Sequence, residues 1–202
     1  FIGPLLYVLL GINRIHRKAA GIRGEECEHV APMEAFACSL TDLADRLPDG
    51  RKHLTGIARL SEQLTQLDLL KGNRVDVLCN GDEAYPAMID AIEKATQSIS
   101  MTTYIFDNDR AGRQVVDALS AAVKRGVEVR VLIDSVGARY SIPPVTRSLR
   151  ANGVRVATFM PSFVPWSTPY VNLRSHRKIL IVDGRIGFTG GMNVREGNVL
   201  SS

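Results

Sequence analysis

Strand-like apolar runs alternate with helical segments between residues 73 and 159, and this alternation restricts the fold more than any other feature. Gly126 and the Asn152-Gly153 pair end two of the predicted helices, and Asp82 is placed to cap a third. Strands are predicted at 75–78, 99–106, 127–133 and 154–159, and helices at 83–95, 110–125 and 143–152. Strands that alternate with helices indicate a largely parallel sheet with helices on its faces.

Two further apolar runs, KILIV at 178–182 and RIGFT at 185–189, lie on either side of Asp183-Gly184. An Asp-Gly pair between two such runs is a strong signal for a two-residue β-hairpin. Because a hairpin adds antiparallel strands, the sheet is predicted to be mixed. The expected fold class is therefore α/β, with a mixed β-sheet flanked by helices on both faces.

The first twelve residues carry no charge and are followed by a basic cluster: Arg14, His16, Arg17, Lys18 and Arg23. A membrane-spanning helix needs about 20 apolar residues, so we expect residues 1–20 to be the end of a transmembrane anchor with a basic cytoplasmic flank. A buried helix and a signal-peptide core are the alternatives, although a signal peptide carries its basic residues before the apolar core. Residues 21–72 are expected to form a juxtamembrane connector. Leucine and isoleucine at helical spacing from Leu54 to Leu67 predict an amphipathic helix there.

The composition argues against a disulfide framework and against a metal site. The three cysteines form no CxxC pair, and their odd number fits a reducing compartment. None of the four histidines belongs to an HxH or HExxH pair, so no metal and no other cofactor is expected. The formal net charge of +4 mildly favours anionic partners.

Chemistry concentrates in one segment, which reads HxKxxxxD from His176 to Asp183 and continues to GGxN at Asn193. On a strand, His176 and Lys178 project to the same face about 7 Å apart at their bases. An ammonium beside an imidazole repels a metal cation but suits a phosphate anion. Lysine holds phosphate oxygens as a point charge, and histidine attacks phosphorus or transfers a proton.

The remaining motif residues have both structural and functional interpretations. Asp183 favours the hairpin turn itself, and its functional role would be to orient the site or support it electrostatically. Gly190 and Gly191 allow a backbone to approach a ligand closely. Asn193 adds a side-chain amide donor two residues later.

This combination resembles the phospholipase D superfamily, which is defined by HxKxxxxD followed by G[GS]xN. All six motif positions match: His176, Lys178, Asp183, Gly190, Gly191 and Asn193. Residues 80–106, 126–137 and 172–193 further resemble bacterial cardiolipin synthases, and the apolar start resembles the end of their membrane anchor. The resemblance implies residence in the bacterial inner membrane, with the catalytic domain facing the cytoplasm.

The resemblance also implies a metal-independent transfer in two steps. One motif histidine attacks phosphorus and forms a phosphohistidine, and the histidine of a second motif protonates the leaving group. The implied donor and acceptor are both phosphatidylglycerol, and no nucleic-acid partner is expected. His176 would be the nucleophile or the acid/base partner. Lys178 and Asn193 would hold the nonbridging phosphate oxygens.

Two features depart from the family pattern. After GGxN the family usually has an acidic residue and an aromatic residue, whereas residues 194–198 read VREGN, with Glu196 available for the acidic position. No second HxKxxxxD is present in the 202 residues. Residues 73–202 are therefore interpreted as a truncated first half-domain. Its second half would come from a missing C-terminal region or from a dimer mate, so the fragment is expected to be inactive as a monomer.

Two other functions remain open from the sequence. One is a single-motif phosphodiesterase or nuclease that works as a dimer, although such an enzyme has no need of an apolar run followed by a basic cluster. The other is an inactive truncated remnant that folds and binds lipid without turnover.

Overall fold

A computed structural model describes residues 36–159 and 174–201 of the chain. They divide into two compact units, one within residues 36–76 and one from Val77 onward. The expected membrane-anchor remnant at residues 1–20 lies outside the described residues. Within the described part of the chain, no helix combines the length and the apolar character that crossing a bilayer requires.

The unit at 36–76 is helical. Helix α1 spans Leu40–Arg46 and begins at Ser39, whose hydroxyl accepts a 3.1 Å hydrogen bond from the backbone N–H of Asp42. Helix α2 spans Leu54–Thr65 and confirms the predicted amphipathic helix. A short 3₁₀ helix, Asp49–Arg51, lies between them.

The strand predicted at 75–78 is wrong. Residues 73–79 have no regular secondary structure, and the side chains of Val75 and Val77 are 87% and 83% exposed. A short apolar run forms a stable strand only where a neighbouring strand supplies hydrogen-bond partners, and this segment pairs with none of the five strands of the sheet.

The unit from Val77 onward is built on a five-stranded mixed sheet, which confirms the predicted α/β fold. The strands are β1 (Ser98–Thr103), β2 (Glu128–Asp134), β3 (Arg155–Phe159), β4 (Ile179–Val182) and β5 (Ile186–Thr189), in the spatial order β3-β2-β1-β4-β5. Strands β1, β2 and β3 are parallel, and the β4–β5 hairpin is antiparallel. Three residues, 183–185, join β4 to β5 instead of the predicted two, because Val182 pairs with Ile186. Asp183 and Gly184 among them have left-handed φ angles of +52° and +64°, which aspartate and glycine tolerate.

Three helices flank this sheet: α3 (Asn80–Lys94), α4 (Arg110–Lys124) and α5 (Val145–Ala151). Helix α4 contacts both α3 and α5, so the three form one layer. Alternate residues such as Ile99 and Met101 are buried against that layer, whereas Ser100 and Arg130 are exposed on the opposite face. The predicted flanking helices are thus present, and a second helical layer is not among the described residues.

The sheet topology brings the start of β4 to the edge where the parallel strands end. Thr102 near the end of β1 pairs with Ile179 at the start of β4. The residues that precede Ile179 therefore lie beside the segment that follows β1. The loop after β2 packs onto the same segment at Gly137, where a Cβ atom would collide with the backbone carbonyl of Tyr104. Only glycine permits this close approach.

Candidate active site

The His176 imidazole is stacked on the ring of Tyr104, the residue that follows β1. The ring centroids are 4.2 Å apart and the ring planes differ by 16°. His176 lies three residues before β4 and is exposed, because it precedes the first residue of that strand. An exposed imidazole with a fixed ring plane is well suited to react with a phosphodiester that arrives from solution.

Lys178 lies over the same aromatic ring. Its Nζ atom is 5.6 Å from the centroid of Tyr104, within the range of a cation–π contact, and donates a 2.8 Å hydrogen bond to the backbone carbonyl of His176. The structure thus brings the two motif side chains together as the sequence predicts. The ammonium group carries three hydrogens, so donors remain for an anionic ligand.

Asn193 is fixed beside these two residues through Ile105, the neighbour of Tyr104. Its Oδ1 atom accepts a 3.1 Å hydrogen bond from the backbone N–H of Ile105. An amide whose oxygen is engaged in this way has a defined orientation. Among the described residues its Nδ2 group has no hydrogen-bond partner, so both of its hydrogens are available to an acceptor.

The backbone of Asn193 is held by the buried hydroxyl of Tyr85 in α3. That hydroxyl lies 2.8 Å from the carbonyl oxygens of both Asn193 and Arg195, and it accepts a 3.0 Å hydrogen bond from the Arg195 N–H. The Asn198 side-chain amide donates to the Tyr85 hydroxyl and to the Asn193 carbonyl. Burial raises the pKa of Tyr85 above its ordinary 10.0, so this hydroxyl keeps its proton at neutral pH.

Asp134 at the end of β2 holds the segment just before His176. Its side chain is fully buried, and its carboxylate accepts hydrogen bonds of 2.9 Å from the Val136 N–H and 3.1 Å from the Ser175 N–H. The guanidinium of Arg174 lies 3.7 Å away. Ser175 immediately precedes His176, so Asp134 connects the end of β2 to the residue before the candidate catalytic histidine.

Asp183 is not brought together with His176. It lies seven residues along the same chain segment, roughly 20 Å away for extended backbone. Its carboxylate accepts hydrogen bonds from the backbone N–H groups of Thr96, Gln97 and Ser98, at 2.8–2.9 Å, and from the Thr96 hydroxyl. These bonds, with the Ser98 N–H foremost, hold the pKa of Asp183 well below its usual range. The structure assigns this carboxylate to joining the hairpin with the start of β1.

The structure leaves space around the two motif glycines. A Cβ atom at Gly190 or at Gly191 would meet no atom of the described residues within 4 Å. Neither φ angle is positive, so the fold itself does not require glycine at these positions. The close approach of a ligand at Gly190 and Gly191 stays a prediction.

Glu196, the available acidic residue after GGxN, is paired outside the His176 cluster. Its carboxylate lies 2.8 Å from the guanidinium of Arg110 at the start of α4, and its backbone N–H donates to Asp109. No group of three or more His, Cys, Asp or Glu side chains in the described ranges is arranged to hold a metal ion.

Comparisons with known proteins identify the family of the chain. The family model described as "Cardiolipin synthase, PLD-like domain" matches residues 88–202, which include β1 to β5 and every motif residue. The chain belongs to this phospholipase D-like family. Cardiolipin synthase 1 of Bacillus anthracis is 34% identical over 195 residues, covering 96% of this chain and 38% of that protein. The cardiolipin synthase of Geobacillus thermodenitrificans (strain NG80-2) is 32% identical over 194 residues, with the same coverage.

The chain therefore spans little more than a third of the length of these curated relatives. Among solved structures, the phospholipase D family member Nuc from Salmonella typhimurium is 28% identical, with a TM-score of 0.45, and the match covers 57% of this chain and 68% of that one. NucT from Helicobacter pylori is 19% identical with a TM-score of 0.46, over 56% of this chain and 68% of that one.

Sequence reasoning missed three residues of the site: Tyr104, Tyr85 and Asp134. A signal existed for two of them. Tyr104 has the same strand parity as the exposed Ser100, so it falls outside the buried face of β1. Asp134 is a charged residue at the carboxyl end of an apolar parallel strand, where ligand sites of α/β sheets lie. Nothing in the sequence around Tyr85 distinguishes it from an ordinary core aromatic residue of a helix.

Proposed function

We propose that this chain is the first half of a phosphatidyltransferase of the cardiolipin synthase type. The observation that carries the proposal is the convergence of an imidazole, an ammonium and an amide donor on two consecutive residues. His176 and Lys178 contact the Tyr104 ring, and Asn193 is bonded to Ile105. The family membership and the cardiolipin synthase relatives support the same reaction class.

The proposed reaction has two steps. In the first, an imidazole nitrogen forms a bond to the phosphorus of phosphatidylglycerol, the bond from phosphorus to the glycerol oxygen breaks, and glycerol leaves with a proton from a second histidine. In the second, the hydroxyl of another phosphatidylglycerol gives its proton to that histidine and attacks phosphorus. The bond between nitrogen and phosphorus then breaks, and cardiolipin is released. His176 is either the nucleophile or the acid/base group.

Lys178 and Asn193 are proposed to stabilise the charge that develops on the nonbridging oxygens. An ammonium and an oriented amide neutralise and hydrogen-bond these oxygens without a metal ion. Asp183 is proposed to act at a distance, by holding the strand that carries His176 and Lys178 in register with β1. Gly190 and Gly191 would give the lipid phosphate access to Asn193.

The second histidine is proposed to come from outside this chain segment. In-line transfer needs a nucleophile and an acid on opposite sides of phosphorus. The sequence contains three other histidines, at positions 16, 29 and 53, and none begins an HxKxxxxD motif. His16 alone among them has a lysine two residues later, but Arg23 occupies the position of the motif aspartate. A further domain of the same protein or a second copy of the chain would supply the second motif. We also propose that the domain works at the cytoplasmic face of the inner membrane, where phosphatidylglycerol is available.

The test uses the full-length gene product with two substrates. Vesicles of phosphatidylglycerol should yield cardiolipin and free glycerol in equal amounts, and activity should persist in a strong chelator. Single-stranded DNA should not be cleaved. Cleavage of DNA without any cardiolipin would overturn the proposal in favour of a dimeric nuclease, and inertness towards both substrates would favour an inactive remnant.

A further inference from the structure

Tyr104 contacts both reactive side chains of the motif. Its ring is stacked on the His176 imidazole at 4.2 Å and 16°, and the Lys178 ammonium lies 5.6 Å from its centroid. The family motif does not include this position, which belongs to the segment after β1.

The loop after β2 packs against Tyr104. The backbone carbonyl of Tyr104 is packed against Gly137, where no Cβ atom would fit. Tyr140 of the same loop lies near the Tyr104 hydroxyl, and burial foremost raises the pKa of Tyr104 above its ordinary 10.0. The phenol is therefore neutral at physiological pH, and a neutral ring faces the imidazole.

Parallel stacking determines where the imidazole nitrogens point. The nitrogen lone pair lies in the ring plane, and attack on phosphorus requires it to be aligned with the bond that breaks. An exposed histidine without a neighbour rotates freely about its Cβ–Cγ bond. Contact with a flat, fixed aromatic surface leaves only orientations close to the plane of that surface.

We propose that Tyr104 is a positioning residue whose aromatic ring sets the plane of the His176 imidazole and keeps Lys178 beside it. This inference rests on the proposed phosphotransfer role of His176. The ring, and not the hydroxyl, carries the function, since the contacts to His176 and Lys178 are made with the ring. A phenylalanine at position 104 should therefore keep the positioning function, and a leucine should lose it, although both side chains are apolar and of moderate size.

The experiment compares Tyr104→Phe with Tyr104→Leu in the full-length protein containing ¹³C-labelled histidine. In the wild type and in Tyr104→Phe, the ring-current field should shift the His176 ring protons upfield, and His176→Gln identifies their signals. In Tyr104→Leu this shift should disappear. With phosphatidylglycerol, kcat should fall about 10- to 100-fold in the leucine variant, while KM stays near the wild-type value and the phenylalanine variant keeps most of its kcat.

Three results would overturn the inference: unshifted His176 signals in the wild type, a leucine variant with wild-type kcat, or a phenylalanine variant as slow as the leucine variant. The wild-type spectrum tests the stack even if the leucine variant fails to fold. A full rate in His176→Ala would instead overturn the proposed function, and the spectra would still report on the stack.

Discussion

The buried hydroxyl of Tyr85 lies 2.8 Å from the backbone carbonyl of Asn193, and this contact ties helix α3 to the loop that carries the amide donor. Residues 108 positions apart in the chain thereby meet at the candidate active site. The same hydroxyl accepts from the Arg195 N–H and from the Asn198 side chain, so it organises most of the loop.

Tyr85→Phe should lower both the stability and the activity of the protein. Removal of the hydroxyl leaves the buried polar groups around it without a partner, at a cost of about 1–3 kcal/mol in the free energy of unfolding. Activity should fall further than stability alone explains, because Asn193 loses its backbone support. Urea denaturation and phosphatidylglycerol turnover measure the two effects. Tyr140→Phe, at a position that is 58% exposed, is the matched control for stability and should change it by less than about 0.5 kcal/mol.

Asp134→Asn should be among the most destabilising single-atom changes in the domain. The substitution removes the charge that faces Arg174 and places an NH₂ group near the N–H of Val136 or of Ser175. Loss of one partner of a buried charge pair costs about 3–5 kcal/mol. The exposed Asp90, which pairs with Lys94, gives the control Asp90→Asn, expected to cost less than about 1 kcal/mol. Equal denaturation midpoints for the two variants would contradict the role given to Asp134.

Asp183→Asn should lower stability at neutral pH, and the difference from the wild type should close in acid. The pKa of Asp183 is depressed in the folded state relative to its ordinary 3.8. Its contribution is therefore present above about pH 4, and it is lost as the pH falls through the folded-state value. Thermal melts from pH 7 to pH 2 follow this directly. A difference in melting temperature between the two proteins that stays constant down to pH 2 would show that the charge of the Asp183 carboxylate does not contribute to stability.

Lys178→Met should reduce kcat by about 10²- to 10³-fold, the loss that follows removal of one charged or hydrogen-bonding group from a developing oxyanion. The melting temperature should stay close to that of the wild type, because Lys178 is only half-buried and forms no ion pair with another residue that the structure describes. Lys124→Met, on the exposed end of α4, removes the same charge far from the motif and should keep full activity. A similar loss of activity in both variants would indicate a general charge effect on binding to the anionic membrane.

Much of the fold was predictable because local patterns agree with the tertiary structure. The helices that end at glycine, the alternating strands and the Asp-Gly hairpin each depend on neighbours in sequence, and the structure has them within a few residues. The cap predicted at Asp82 is wrong, because α3 begins at Asn80 and the Asp82 carboxylate accepts hydrogen bonds from the N–H groups of Leu200 and Ser201 instead. The strand predicted at 75–78 failed because strand formation depends on a partner that no local pattern reveals. Local patterns also did not predict that the described helices lie on one face of the sheet. The face that a helix covers depends on how the connections between the parallel strands cross the sheet.

The motif itself was predictable, but its supports were not. His176, Lys178 and Asn193 belong to one segment, and strand parity brings the first two together. Tyr104 and Asp134 reach them from strands about 70 and 40 residues earlier in the chain, and Tyr85 from a helix about 110 residues before Arg195. Residues that are so far apart in the sequence show no local pattern that links them, so these contacts become visible only in the folded structure.

The central claim is that His176 takes part directly in phosphotransfer, and the turnover of His176→Ala in the full-length protein tests it most directly. We predict a loss of activity of at least about 10³-fold, together with a thermal melt like that of the wild type, because the imidazole is exposed and contributes little to the core. His53→Ala, which removes an exposed imidazole outside the sheet unit, should keep full activity. Wild-type turnover in a folded His176→Ala protein would contradict the account.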